Sequence, residues 1–176
     1  MNETEIVHID DQLWTPVRTK VKREKKLAEY CKANNIVYYL PLRLSIKRYN
    51  KKNVTFNVPM FPGYIFCNIS AEIYKTLVKS HHVLFRVGMD IATESQLISE
   101  LNALKILESI STEKELAIKP EIVTGQKITV TTGPLSGVEG IVKIRNGKEL
   151  VTINIEILGQ SVTVESDIGD VELTKD

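Results

Sequence analysis

The residue types that do covalent chemistry are thinly spread in this chain. The histidines are His8 and the adjacent pair His81-His82, the cysteines are Cys31 and Cys67, and no Ser, His and Asp fall into a nucleophilic motif. No glycine-rich loop precedes a helix where it would cradle a phosphate, and no His, Cys, Asp or Glu cluster has metal-ligand spacing. The cysteines lie outside any CxxC pair and read as small buried apolar residues, with neither a zinc site nor a disulfide framework indicated. The chain is therefore expected not to be an enzyme and to use no metal or cofactor. What remains is non-covalent recognition, and two stretches carry residues suited to it.

The first is Pro59-Met60-Phe61-Pro62-Gly63-Tyr64-Ile65-Phe66. Pro62 fixes its own φ and biases Phe61 away from helix, while Gly63 supplies backbone freedom, so a tight bend delivers the chain into a strand starting at Tyr64. Tyr64 and Phe66 then share one face and Ile65 and Cys67 the other. An aromatic row left off the core would form a docking surface; burial of both faces explains the same residues equally well.

The second is the run Arg18 to Lys26, in which Lys20, Lys22, Arg23, Lys25 and Lys26 crowd the start of an expected helix from Thr19 to Asn34. Its apolar stripe is Val21, Leu27, Ala28 and Cys31, with Thr19 as N-cap. Cations at the positive end of a helix are mildly unfavourable, and a phosphate backbone would offset that repulsion. A solvated charged face is the plainer explanation. Residues 1–60 hold 12 Lys+Arg against 6 Asp+Glu and residues 121–176 hold 5 against 9, so an anionic partner should meet the first half.

These stretches need a frame. Residues 1–11 are expected as a loose tail. Leu13 to Arg18 alternates around Pro16, which favours an edge strand. Leu42 to Ile46 and Val54 to Val58 alternate about Asn50-Lys51-Lys52-Asn53, a hairpin with a basic tip. Ser70 caps a short helix, Val83 to Val87 is a strand, and Thr93-x-x-Gln96 opens a longer helix that runs through Leu107 and Ile110 to about Ser111. Residues 111–120 read as a linker. Beyond it, glycine turns separate short β-branched runs, including Asn146-Gly147, which suits a small closed β-barrel. The fold class is α+β, divided into a tail at 1–11, a domain at 12–110, a linker at 111–120 and a domain at 121–176. The acidic start and the lack of an apolar run of roughly 18 residues imply a soluble, cytoplasmic protein with no membrane partner.

Trp14, the Arg18-Thr19-Lys20 to Arg23-Glu24-Lys25-Lys26 run, Tyr39-Leu40-Pro41, Phe61 to Phe66, and Gly133-Pro134-Leu135-Ser136-Gly137-Val138-Glu139-Gly140 together resemble the NusG family of transcription elongation factors. The last stretch looks like its KOW motif. The resemblance covers almost the whole chain. It implies an NGN domain, a four-stranded antiparallel sheet with flanking helices, tethered to an SH3-like KOW barrel, in a protein that acts as a monomer. It also implies that the NGN domain binds the β′ clamp helices of RNA polymerase through Trp14, Arg18, Phe61, Pro62, Tyr64 and Phe66, with the β gate loop as a second contact.

By the same resemblance, Lys20, Lys22, Arg23 and Lys26 would meet nontemplate DNA, and Arg48, Lys51 and Lys52 at the hairpin tip would extend that field. Gly133, Pro134, Gly137 and Gly140 mark the KOW motif, whose partner would be a ribosomal protein or a termination factor. The long basic hairpin is most like the specialised RfaH- and UpxY-like antiterminators, the latter acting on capsular polysaccharide operons. Thr15-Pro16 departs from the pattern after Trp14, and no His-Thr-Thr stretch lies near Ala71 to Thr76. His81 and His82 lie close enough to substitute, and an ordinary helix-to-strand turn accounts for them too. The competing reading is a KOW-type RNA-binding or ribosome-associated module, with its affinity in the C-terminal unit.

Overall fold

A computed structural model of the chain describes residues 5–49, 52–110, 117–120, 126–130, 139–145, 148–166 and 173–174. By packing it falls into two compact units, Met1–Leu42 with Asn57–Ile98 and Arg43–Phe56 with Ser99–Asp176. The N-terminal elements are β1 (Leu13–Thr19), α1 (Glu24–Ala33), β2 (Tyr38–Tyr39), β3 (Leu42–Tyr49), β4 (Lys52–Pro59), β5 (Tyr64–Ile69), α2 (Ala71–Lys79), β6 (Val83–Arg86) and α3 (Ile91–Ile110). After them come β7 (Ala117–Pro120), β8 (Gln126–Val130), β9 (Glu139–Arg145), β10 (Lys148–Ile155), β11 (Gln160–Ser166) and β12 (Leu173–Thr174).

The first unit is built on an antiparallel sheet in the order β2-β5-β1-β6. One face carries Val17, Ile65, Cys67 and Ile69 against Leu27, Ala28 and Cys31 of α1 and Leu77 of α2. Each fully buried aliphatic side chain there stabilises by about 1.5–3 kcal/mol relative to exposure. The hydrogen bond with Cys31, and after it burial, push the Cys67 thiol up, while the same hydrogen bond lowers Cys31; both cysteines are free and buried and pack as the apolar residues they were expected to be.

Contrary to the edge strand expected from its proline, β1 is central. The Pro16 carbonyl accepts from Val87 N at 2.9 Å. A residue's N–H and C=O lie on the same side of a strand, so the missing N–H faces the short β6, and the pairing of Pro16 with Phe66 on β5 loses nothing. Two residues earlier, the Trp14 N–H on that same side is taken by Glu94 Oε1 of α3 at 2.8 Å.

Residues expected as a loose tail are tied down here. Trp14 Nε1 donates to the Val7 carbonyl at 2.9 Å, His8 Nδ1 meets Glu94 Oε2 at 2.7 Å, and Ile6 is buried. Two helix starts also differ from expectation. The cap of α3 is Asp90, whose carboxylate accepts from Thr93 N at 2.8 Å, so Thr93 lies inside the first turn. The Thr93 amide and hydroxyl hold the Asp90 carboxyl below its usual range. Helix α1 begins only at Glu24, because Lys22 adopts a positive φ of 57° and breaks the run from Thr19. Val21 therefore sits outside the stripe and is 84% exposed. Ser70 caps α2 as expected, accepting from Ile73 N at 3.3 Å.

In the second unit, antiparallel strands run in the order β12-β8-β9-β10-β11-β7. Val151, Ile153 and Ile155 of β10 and Val162 and Val164 of β11 are buried. Ala117–Pro120, expected within the linker, pairs with β11 at the end of the strand order, a position where Pro120 needs no donor. Arg145 and Lys148 are partners across β9 and β10 and flank Asn146-Gly147, which lie outside the described residues. Gly140 is required by space: a Cβ there would stand 2.8 Å from the Thr152 carbonyl oxygen. Gly133, Pro134 and Gly137 lie outside the described residues, as does Lys51.

Candidate functional site

The bend before β5 is held from several sides. Tyr64 N donates to the Phe61 carbonyl at 3.0 Å and Gly63 has φ +86°; Pro at the second position and a positive-φ Gly at the third are what a type II turn requires. Met60 N donates to Pro41 O at 2.8 Å, and Thr19 N to Gly63 O at 2.9 Å. Glu24, the first residue of α1 and only 6% exposed, accepts the Gly63 N–H on Oε1 at 2.5 Å. Arg18 Nη1 donates to Pro62 O at 3.3 Å, and its guanidinium lies 4.7 Å from the centroid of the Tyr64 ring. Arg18 and Tyr64 are direct cross-strand partners, which is why the stack forms.

This arrangement divides the expected contact residues. Pro62 is exposed, and Tyr64 and Arg18 are half-buried side by side. Phe61, Phe66 and Trp14 are buried, at 1%, 0% and 3% exposure, and the two Phe rings meet edge to face at 6.1 Å. That corrects the expectation of these three as surface contacts: the Phe61 and Phe66 rings pack against each other under cover, and Trp14, opposite Asn68 further along β1, is buried with its indole bonded to Val7. The arrangement can dock an apolar or aromatic group on Tyr64 and Pro62, with a cation beside it.

A second cluster lies on the loop between β1 and α1 and the first turn of α1. Lys20, Lys22, Arg23 and Lys26 are all exposed, and Arg23 N turns back to Lys20 O at 3.1 Å. Lys20 N also donates to His82 O at 2.8 Å, which joins this loop to the turn between α2 and β6. Partial burial, followed by the charges of Arg23, Lys20, His81 and Lys26, pushes the His82 imidazole below its ordinary value. Lys26 also pairs with Glu29 at 3.0 Å, an exposed contact that scarcely neutralises the patch. The loop can therefore gather phosphates. Arg48 and Lys52 are exposed on the β3–β4 hairpin, apart from this cluster in sequence.

Glu24, which holds the bend before β5, is the residue that sequence alone did not single out. Its only signal was to be the one acid within a run of five cations, Lys20, Lys22, Arg23, Lys25 and Lys26. Among the described residues, no group of three or more His, Cys, Asp or Glu is placed to hold a metal, and no helix is long and apolar enough to cross a membrane.

The family described as "Transcription termination factor nusG" matches residues 12–107, more than half of the chain. The chain belongs to that NusG family and is a NusG-like transcription factor. Two solved structures are similar to it, titled as conformations B and A of a crystal structure of the MjSpt4:Spt5 complex. The first is 15% identical, covering 93% of this chain and 98% of that one, with a TM-score of 0.29. The second is 19% identical, covering 93% and 99%, with a TM-score of 0.27. No curated protein matches the chain.

Proposed function

We propose that this NusG-family protein is an antitermination and elongation factor of the specialised, operon-specific kind, and that it docks on the β′ clamp helices of RNA polymerase through Tyr64, Arg18 and Pro62. The observation that carries the reading is the bend itself. Glu24 accepting from the Gly63 N–H, and Thr19 and Arg18 donating to the Gly63 and Pro62 carbonyls, fix its backbone, yet Pro62 is exposed and the Tyr64 ring is only half-covered. A rigid aromatic anchor with a charged neighbour concentrates binding energy in a small contact.

Bound across a cleft that opens and closes, such a protein favours the closed, actively elongating state by binding it more tightly, and needs no covalent step. Nontemplate DNA lies along Lys20, Lys22, Arg23 and Lys26, mostly through phosphate, and Arg48 and Lys52 on the hairpin are a separate set of basic contacts for nucleic acid. The C-terminal strands close into an SH3-like KOW barrel that recruits a ribosomal protein or a termination factor. The protein works as a monomer in the cytoplasm. Transcription in vitro on a paused template tests this: wild type shortens the pause and Tyr64→Ala does not. A pause lifetime indifferent to the wild-type protein would remove the reading.

A further inference from the structure

The β3–β4 hairpin carries a surface that polymerase docking does not use. Residues 42–59 contain Arg43, Lys47, Arg48, Lys51 and Lys52 and not one Asp or Glu. Large side chains are nevertheless turned to solvent on it: Tyr49 is 53% exposed and Phe56 41%, with Ile46 at 68% and Val54 at 39%. The Tyr49 and Phe56 rings meet edge to face, 6.5 Å between centroids and 76° between planes, which puts them on one face of the two-stranded ribbon. Strand alternation adds Lys47 on the side of Tyr49, and Lys52 and Val54 on the side of Phe56. That face therefore presents two aromatic rings flanked by two ammonium groups.

The charge and the rings select the partner together. Five cations without an acid call for a polyanion and argue against an ordinary protein surface. A duplex supplies phosphates, but its base faces are stacked inside and cannot reach a ring. An unpaired strand offers phosphates and open base faces at once. We infer that this face binds an unpaired nucleic-acid strand, with bases stacked on Tyr49 and Phe56 and phosphates held by Lys47 and Lys52. The inference deepens the nucleic-acid part of the proposed function, and it does not require the polymerase contact.

The test uses the full chain and fluorescence anisotropy at fixed salt with three labelled probes of equal length: an oligothymidylate, its abasic sugar-phosphate counterpart and a duplex. The oligothymidylate should bind roughly tenfold tighter than the abasic strand, the scale of one base stacked on a ring. Tyr49→Ala with Phe56→Ala should erase that preference and leave abasic binding unchanged, whereas Tyr49→Trp keeps it. Lys47→Gln with Lys52→Gln should weaken both single strands alike. Equal binding of base-bearing and abasic strands, duplex binding as tight as single-strand binding, or a preference that survives loss of both rings would overturn the inference. Tyr64→Ala, which removes polymerase docking, should leave the oligothymidylate preference intact, so the two readings can fail separately.

Discussion

Replacing Gly63 by Ala should destabilise the first unit far more than the same change at Gly88. At φ +86° an L side chain is strained, at a cost of about 1–2 kcal/mol. The added Cβ would also stand 2.5 Å from Arg18 Nη1 and 2.7 Å from Cζ. The guanidinium can swing aside, but only by leaving the Tyr64 ring, which forfeits about 0.5–1 kcal/mol of cation–π attraction. Together the loss is about 1.5–3 kcal/mol. Gly88 has nothing within 4 Å of its would-be Cβ and is not among the positive-φ glycines, so Gly88→Ala should be close to neutral. Urea unfolding followed by the buried Trp14, the chain's one tryptophan, reads this unit. Binding reads the surface part alone: Gly63→Ala should weaken attachment to the clamp helices about two- to fivefold, which corresponds to losing about 0.5–1 kcal/mol of Arg18–Tyr64 geometry. If the two alanine variants unfold at the same urea concentration, the account of a strained, Arg18-packed bend is wrong.

Three further outcomes follow from the same geometry. Glu24→Ala should cost about 1–3 kcal/mol by leaving the buried Gly63 N–H without an acceptor, and Glu24→Gln, which keeps an oxygen there, should cost clearly less; hydrogen exchange at the Gly63 amide separates them. Leu27→Ala should cost about 2–5 kcal/mol in urea unfolding, whereas Val21→Ala, 84% exposed in the basic loop, should cost almost nothing. Nucleic-acid affinity should rise as pH falls through the range in which His82 titrates. Partial burial first, and then the charges of Arg23, Lys20, His81 and Lys26, lower the imidazole's pKa in the free protein, and a bound phosphate favours its charged form, so the complex takes up a proton. His82→Ala should flatten that pH dependence in salt-matched titrations.

Much of the frame could be read from local grammar. Ser70 as a cap, the end of α1 at Asn34-Asn35 and the alternating hairpin strands each depend on residues a few positions apart. What escaped depends on distant partners. Pro16 argued for an edge, but Val87 and Phe66 decide which side of the strand its missing donor faces. Alternation put Tyr64 and Phe66 on one face without saying how far along it cover extends; it seals Phe66 and stops short of Tyr64. The anchored N-terminal segment rests on Glu94, about eighty residues on, which no local pattern could announce. Asp90 and Thr93 were both competent caps three residues apart, and only the backbone chose between them.

The most direct test of the docking bend is retention of the full chain on an immobilised β′ clamp-helix fragment. Wild type should be retained, Tyr64→Ala should be lost with its unfolding curve unchanged, and Phe61→Leu, altered beneath the surface, should still bind once folded. Equal retention of wild type and Tyr64→Ala, or none for either, would contradict the assignment of this bend to polymerase.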